Sequence, residues 1–314
     1  GDGTVKYYDK TIRDHEEEGL GKITAREVFE HSSNVGTAKI ISEGYKDNPR
    51  RYVDRLYSMQ IDKPLGLQIQ GEGKPVIRYP GDKLWSGISL PMMSHGYEVL
   101  MTPLQILTFY NAVANDGKMV KPRFVKEVRD GNWTVKSFET EVITNAICSR
   151  STINKAQSLL EGVVENGTAK NLKNSNYKIA GKTGTAQIAN AKHGYRSGAR
   201  ISYQASFVGY FPADDPLYSC IVVVNAPSNW VYYGNVVSGP VFKEIADKVY
   251  ATSFYRDLRA LNPENEDKVK FREAADIVSK DDLTWSEGLM PNVVGMGLRD
   301  AMFMLENSGL RVKD

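Results

Sequence analysis

One four-residue segment, Lys182-Thr183-Gly184-Thr185, constrains the fold and chemistry of this chain more than any other. It ends an apolar run that starts at Tyr177, a pattern typical of a β-strand. A lysine, two hydroxyls and a glycine on one strand edge can bind a carboxylate and present backbone N–H groups to an oxyanion. We therefore predict an anion-binding strand edge at residues 182–185.

A second motif, Ser32-Ser33-Asn34, has S-x-N spacing and falls where a predicted helix breaks. About one S-x-N match is expected by chance in a chain of this length, whereas K-T-G is roughly tenfold rarer. Ser and Asn also cap helices well, so Ser32 and Asn34 alone fit a simple helix break. The order of the two motifs, one at a helix junction and one on a strand, favours a shared site.

Helical and strand patterns occupy different parts of the chain. Capping signals and apolar spacing predict helices that begin near Thr24, Asn34, Asn48, Thr102, Ser151 and Ser238. Inward-facing residues of the last helix are expected to be Val241, Phe242, Ile245, Ala246 and Val249. Strand patterns cover residues 177–184, 205–211 and 218–225, with a long loop between the first two. Helices followed by antiparallel strands and a closing helix predict an α+β domain.

Charge and composition exclude several function classes. The 314 residues contain 40 Lys plus Arg against 38 Asp plus Glu, with no block of like charges, so nucleic acid is not an expected partner. Cys220 lies in a strand that we expect to be buried, as a free thiol rather than a disulfide or metal ligand. The histidines are scattered, so we predict neither a metal site nor a cofactor. No apolar run approaches the roughly 18 residues of a membrane span.

Longer strings surround both motifs, and others lie elsewhere in the chain. They are residues 31–36 (HSSNVG), 97–105 (YEVLMTPLQ), 167–169 (GTA), 179–187 (IAGKTGTAQ) and 206–210 (SFVGY). Through these strings, over about residues 21–255, the sequence resembles the transpeptidase domain of class B penicillin-binding proteins, the monofunctional enzymes that cross-link the bacterial cell wall. The resemblance implies the fold of that domain and of serine β-lactamases, an antiparallel sheet flanked by helices with a helical subdomain presenting Ser32.

The resemblance also implies a mechanism. In this family a serine attacks the penultimate D-alanine carbonyl of a peptidoglycan stem peptide, D-alanine leaves, and an amine from a neighbouring peptide resolves the acyl-enzyme. By similarity, Ser32 relays a proton near the leaving nitrogen. Asn34 would hold the substrate amide and help fix a lysine. Lys182 would direct positive charge toward the substrate carboxylate and the Ser32 hydroxyl.

Substrate-binding roles follow from the same resemblance. Thr183 and Thr185 would bind the substrate carboxylate or that of a β-lactam. Gly184 would let the backbone come close, and the Thr185 N–H would form half of the oxyanion hole. The expected partners are stem peptides ending in D-Ala-D-Ala, β-lactam antibiotics and proteins of the division complex.

The resemblance divides the chain into three segments. Residues 1–257 are expected to be the C-terminal portion of the transpeptidase domain, and residues 258–287 a charged linker. Residues 288–314 resemble the first part of a PASTA module, which is too short to bury a core alone. The pairing of these domains points to the division (septal) subgroup, on the extracytoplasmic face of the membrane with an anchor upstream.

The family's nucleophile motif, S-x-x-K, does not occur before Ser32. Ser175-Asn176-Tyr177-Lys178 has the spelling but follows S-x-N and leads into the K-T-G strand, so we interpret it as coincidence. We therefore expect the nucleophile and its lysine to lie in a parent polypeptide before Gly1, together with the first strands of the sheet. The chain alone should then be inactive, and its core incomplete.

Several alternatives fit part of the pattern. A D,D-carboxypeptidase or a serine β-lactamase shares both motifs, although the strings near Thr102 and Thr185 favour a transpeptidase. A non-catalytic wall-binding or β-lactam-sensing module would explain the missing S-x-x-K. An α+β domain with coincidental motifs is the remaining interpretation.

Overall fold

A computed structural model describes residues 1–16, 18–188, 201–227 and 231–261. Residues 1–251 form one compact unit, and residues 252–314 belong to a second unit. Most of the predicted linker, the whole PASTA-like segment and most of the predicted loop between residues 188 and 203 lie outside the described residues. In the described part of the chain, no helix is both long and apolar enough to cross a membrane.

The described residues form eleven strands and eight α-helices. The strands are β1 Thr4–Tyr7, β2 Lys10–Arg13, β3 Val76–Ile77, β4 Val99–Leu100, β5 Met119–Val120, β6 Glu127–Asp130, β7 Trp133–Ser137, β8 Val142–Thr144, β9 Ala180–Gln187, β10 Tyr203–Phe211 and β11 Tyr218–Asn225. The helices are α1 Ala25–Glu30, α2 Asn34–Tyr45, α3 Pro49–Ser58, α4 Ser89–Met93, α5 Pro103–Ala114, α6 Arg150–Glu165, α7 Gly234–Val237 and α8 Gly239–Leu261. A 3-10 turn, Lys170–Leu172, precedes β9.

The central sheet is antiparallel and has the order β11-β10-β9 in the described chain. Its middle strand is almost fully buried because it is covered on both faces. Phe207 and Phe211 pack against Phe242 of α8 on one face, and Tyr210 packs among residues of α5 and α6 on the other. The predicted α+β architecture of a sheet between helices is confirmed, and the K-T-G strand is β9, an outer strand of this sheet.

Most helix boundaries agree with the capping signals. Thr24 and Thr102 both form capping boxes, with Glu27 and Gln105 respectively. Each box satisfies two orphan N–H groups at the start of its helix. The helix predicted at Ser151 begins one residue earlier, at Arg150, because the hydroxyl of Ser149 caps it.

Two predictions about burial were wrong. Val241 and Ile245 are 44% and 39% exposed, because α8 meets the sheet through a narrow stripe that includes Phe242 and Ala246. Cys220 is a free thiol, and it is only partly buried. The reason is that β11 is the outer strand opposite β9, so its apolar residues are covered incompletely.

Candidate active site

The two motifs meet in the folded chain. Lys182 Nζ on β9 donates a hydrogen bond to Ser32 Oγ at 2.6 Å, across 150 positions of sequence. Ser32 lies in the junction between α1 and α2, and this hydrogen bond connects the junction to the K-T-G strand. A hydroxyl and an amine at this distance can exchange a proton directly.

The Ser32 backbone has φ +58°, in the left-handed region that non-glycine residues rarely adopt. This conformation turns the chain sharply from α1 into α2, so that the Ser33 N–H still donates to Val28 O. Ser33 then caps α2 by accepting from the Gly36 N–H. The strained residue is thus the one that carries the candidate catalytic hydroxyl, as is frequent at functional sites.

Lys182 lies in surroundings that disfavour its charge. Burial of the ammonium group lowers the pKa of Lys182 from 10.5 to about 8. The nitrogen lies 5.9 Å from the centre of the Phe29 ring. A lysine with a pKa near 8 gains and loses its proton close to neutral pH, which suits a proton relay.

Thr183 is linked to α1 through a residue that the motifs did not identify. Its hydroxyl is 2.9 Å from the Thr168 hydroxyl, and the Thr168 N–H donates to Glu30 O at 3.1 Å. Thr168 therefore connects the K-T-G strand to the helix that precedes Ser32. It belongs to the matching stretch at residues 167–169, whose residue types do not by themselves indicate a chemical role.

Gly184 and Thr185 lie close to β10 and to the start of α7. A Cβ at Gly184 would lie 2.5 Å from Ser206 Oγ on β10, so a side chain there would have to displace this hydroxyl. The Gly234 N–H, at the start of α7, donates to Thr185 Oγ1 at 3.2 Å. Because that oxygen accepts from Gly234, the Thr185 hydroxyl proton is directed elsewhere and can be donated to a ligand.

Asn34 is the first residue of α2, and its Nδ2 donates to Arg13 O at 3.1 Å. One end of this amide is therefore fixed on β2, next to the site. The sequence did not indicate β2 as part of the site, because a short hairpin gives no distinctive spacing.

Aromatic rings adjoin the far end of the K-T-G strand. Tyr203, which pairs with Gln187, stacks on Tyr232 at a centroid distance of 3.9 Å. Tyr233 follows and lies 4.6 Å from the His15 ring. No local sequence pattern indicates this aromatic cluster, because its members come from three separate segments.

The S-x-x-K spelling at residues 175–178 does not join the contacts of the two motifs. Ser175 lies in an irregular segment between the 3-10 turn and β9. Lys178 Nζ is bound to Glu161 Oε1 at 2.6 Å. The interpretation of this match as coincidence agrees with that geometry.

Comparison with known proteins assigns the family. The sequence matches the family described as "Penicillin binding protein transpeptidase domain" over residues 2–247. The chain belongs to this family. The resemblance to the transpeptidase domain of class B penicillin-binding proteins is thereby confirmed, while the PASTA-like segment stays a prediction.

Three similar proteins illustrate the relationship. Penicillin-binding protein PbpB of Mycolicibacterium smegmatis is 32% identical over 78% of this chain and 38% of its own length. Peptidoglycan D,D-transpeptidase FtsI of Buchnera aphidicola is 28% identical over 72% of this chain and 37% of its own length. The crystal structure of penicillin-binding protein 3 of Mycobacterium tuberculosis with aztreonam has a TM-score of 0.62 and 30% identity, over 72% of this chain and 50% of that one. The chain thus spans less than two fifths of the length of these two curated relatives.

Proposed function

We propose that this chain forms the S-x-N and K-T-G side of the active site of a peptidoglycan D,D-transpeptidase. Such an enzyme cross-links stem peptides through a serine acyl-enzyme. The observation that carries the proposal is the 2.6 Å contact between Lys182 Nζ and Ser32 Oγ. Membership of the transpeptidase family and the name of the Buchnera relative support the same reaction.

Ser32 and Lys182 would act as a proton relay. In acylation, an attacking serine outside these motifs forms a bond to the penultimate D-alanine carbonyl carbon, and its proton passes to a base. The bond from that carbon to the terminal D-alanine nitrogen breaks, and the nitrogen takes the hydroxyl proton of Ser32. Lys182 replaces this proton through its hydrogen bond, for which a pKa of about 8 is well suited.

The hydroxyls of the K-T-G strand would bind the substrate. The Thr185 hydroxyl, oriented by the Gly234 N–H, donates to the terminal carboxylate, and Thr183 assists. The Thr185 N–H supplies one donor of the oxyanion hole. Asn34, fixed through its Nδ2 on Arg13, offers its Oδ1 to a substrate amide N–H.

A β-lactam would enter the same site, because its carboxylate and strained amide imitate those of the D-Ala-D-Ala end. The ampicillin complex of penicillin-binding protein 3 of Mycobacterium tuberculosis supports this extension. Septal location, an extracytoplasmic setting and division-complex partners belong to the proposal through the division-type resemblance. The division of the chain into residues 1–257, 258–287 and 288–314 is also part of the proposal.

A second part of the proposal is that benzylpenicillin does not acylate this chain on its own, because the chain has no S-x-x-K ahead of Ser32. The test is intact mass after incubation with benzylpenicillin, for this chain and for a version extended N-terminally with parental sequence. Circular dichroism on both would verify that they are folded. We expect the mass of one penicillin to be added to the extended version alone.

Other outcomes separate the alternatives. An adduct on a serine of this chain would refute the proposal that the nucleophile lies outside it. No adduct on either folded version would favour a wall-binding or β-lactam-sensing module, which the missing S-x-x-K also fits. Rapid release of hydrolysed penicillin from the extended version would indicate a β-lactamase.

A further inference from the structure

The left-handed backbone of Ser32 needs support from outside its own segment. Two backbone bonds, Ser32 N–H to Phe29 O and Ser33 N–H to Val28 O, tie this turn to α1. They hold the turn against α1 as far as Ser33, the N-cap of α2. A non-glycine residue keeps such a conformation where the surrounding structure over-determines it.

Asp14 supplies contacts on the α2 side of the turn. Its Oδ2 accepts from the Ser33 hydroxyl at 2.9 Å, and its Oδ1 accepts from the Val35 N–H at 2.9 Å. Both carboxylate oxygens are thus bound to the two residues that flank Asn34. Hydrogen bonds to an ionised carboxylate are stronger than those between neutral groups, and the N-terminus of a 12-residue helix such as α2 favours a negative charge.

Asp14 belongs to a different element, and that element is itself anchored. It directly follows β2, whose Ile12 is buried against Val35 and Ala38 of α2. The neighbouring Arg13 carbonyl accepts from Asn34 Nδ2. The hairpin therefore sits on α2 through an apolar contact, and the Asp14 carboxylate is held in place with it.

We propose that Asp14 is a positioning residue for the S-x-N motif, holding Ser32 in the left-handed conformation that directs its hydroxyl to Lys182. It does not touch a reacting atom, and it acts through Ser33 and Val35. The inference deepens the proposed function, on which its catalytic meaning rests. Its structural content stands independently, because the conformation of Ser32 can be measured without a substrate.

The experiment uses this chain with labelled serine and reads the intraresidue N–H to Hα nuclear Overhauser effect of Ser32. That signal is unusually strong when φ is positive, and Ser42 in the middle of α2 provides a right-handed reference. Ser32→Ala assigns the Ser32 signal. We expect the Ser32 signal to exceed that of Ser42 in the native chain and to fall to the Ser42 level in Asp14→Ala.

Matched variants test whether the change in the Ser32 signal is specific to the Asp14 carboxylate. Asp9→Ala removes an exposed carboxylate from the turn of the same hairpin and should leave the Ser32 signal unchanged. Asp14→Asn, which can still accept from the Val35 N–H, should keep part of it. A role limited to holding the hairpin would lower the free energy of unfolding without changing Ser32 in the folded protein.

Folding of the variants is verified from their amide spectra. If Asp14→Ala does not fold, Ser33→Ala removes the bond to Asp14 Oδ2 together with the cap that Ser33 forms for the Gly36 N–H, and it should weaken the Ser32 signal. A full native signal in every folded variant that lacks the contact would overturn the proposal. Failure of the penicillin test would leave this result intact, so the two failures are distinguishable.

Discussion

The amine of Lys182 and the hydroxyl of Ser32 lie 2.6 Å apart, although one belongs to a sheet strand and the other to a helix junction. The contact joins the helical and the sheet parts of the domain at one point. It combines a lysine whose charge is disfavoured by burial with a serine whose backbone is strained. Both properties are useful to a proton relay.

The pKa of Lys182 makes stability depend on pH. In the folded chain this pKa is about 8, and its ordinary value is 10.5. Between these values the unfolded chain binds more protons, so the contribution of Lys182 to the free energy of unfolding rises as the pH increases. Urea unfolding of the native chain and of Lys182→Met at about pH 7.5 and about pH 9.5 measures this. The native chain should gain stability relative to Lys182→Met at the higher pH.

Comparison with Lys182→Met at each pH cancels the titration of tyrosines and cysteines shared by both proteins. An equal difference between the two proteins at both pH values would mean that Lys182 titrates as an ordinary lysine. The burial argument for its pKa would then be incorrect.

A second prediction concerns acylation of the N-terminally extended polypeptide. Lys182→Ala should slow benzylpenicillin acylation by about 100-fold or more, since a positioned proton-transfer group contributes at least about this factor. Lys178→Ala is the matched control, because Lys178 lies four residues earlier and is bound to Glu161 at the surface. Time-resolved intact mass gives both rates. Equal slowing by the two substitutions would argue against a specific role for Lys182.

The Thr168 hydroxyl should stabilise the K-T-G strand. Thr168→Val keeps the shape but removes the contact with Thr183, and we expect the free energy of unfolding to fall by about 1 kcal/mol. The backbone bond from the Thr168 N–H to Glu30 O remains available in this variant. Thr168→Ser retains the hydroxyl, so its free energy of unfolding, measured in urea, should fall clearly less than that of Thr168→Val. If the serine variant were the less stable of the two, packing of the methyl group would matter more than the hydrogen bond.

Local signals predicted the longer helices and the strands β9–β11, but not the short strands β1–β8. The helices that follow Thr24 and Thr102 were predicted because a capping box lies within four residues of sequence. K-T-G and S-x-N identified Lys182 and Ser32, since each motif is contiguous. Asp14 and Thr168 were missed because their contacts depend on the fold, which no local spacing encodes. The exposure of Val241 was missed for a similar reason, as spacing along a helix does not tell how wide its buried stripe is.

Gly234 should be required for the position of the K-T-G strand. A Cβ at this residue would collide with Ser206 O and lie 2.8 Å from Gly184 O, both backbone atoms of the sheet that cannot rotate away. Gly234→Ala is therefore expected to lower the free energy of unfolding by about 1–3 kcal/mol, a typical cost of overpacking. The same substitution at Gly44, inside α2, meets no atom within 4 Å. It should leave stability unchanged or raise it by up to about 1 kcal/mol, since alanine is the better helix former. Urea unfolding of both variants tests the pair, and a Gly234→Ala protein as stable as Gly44→Ala would show that α7 can move away from β9 at little cost.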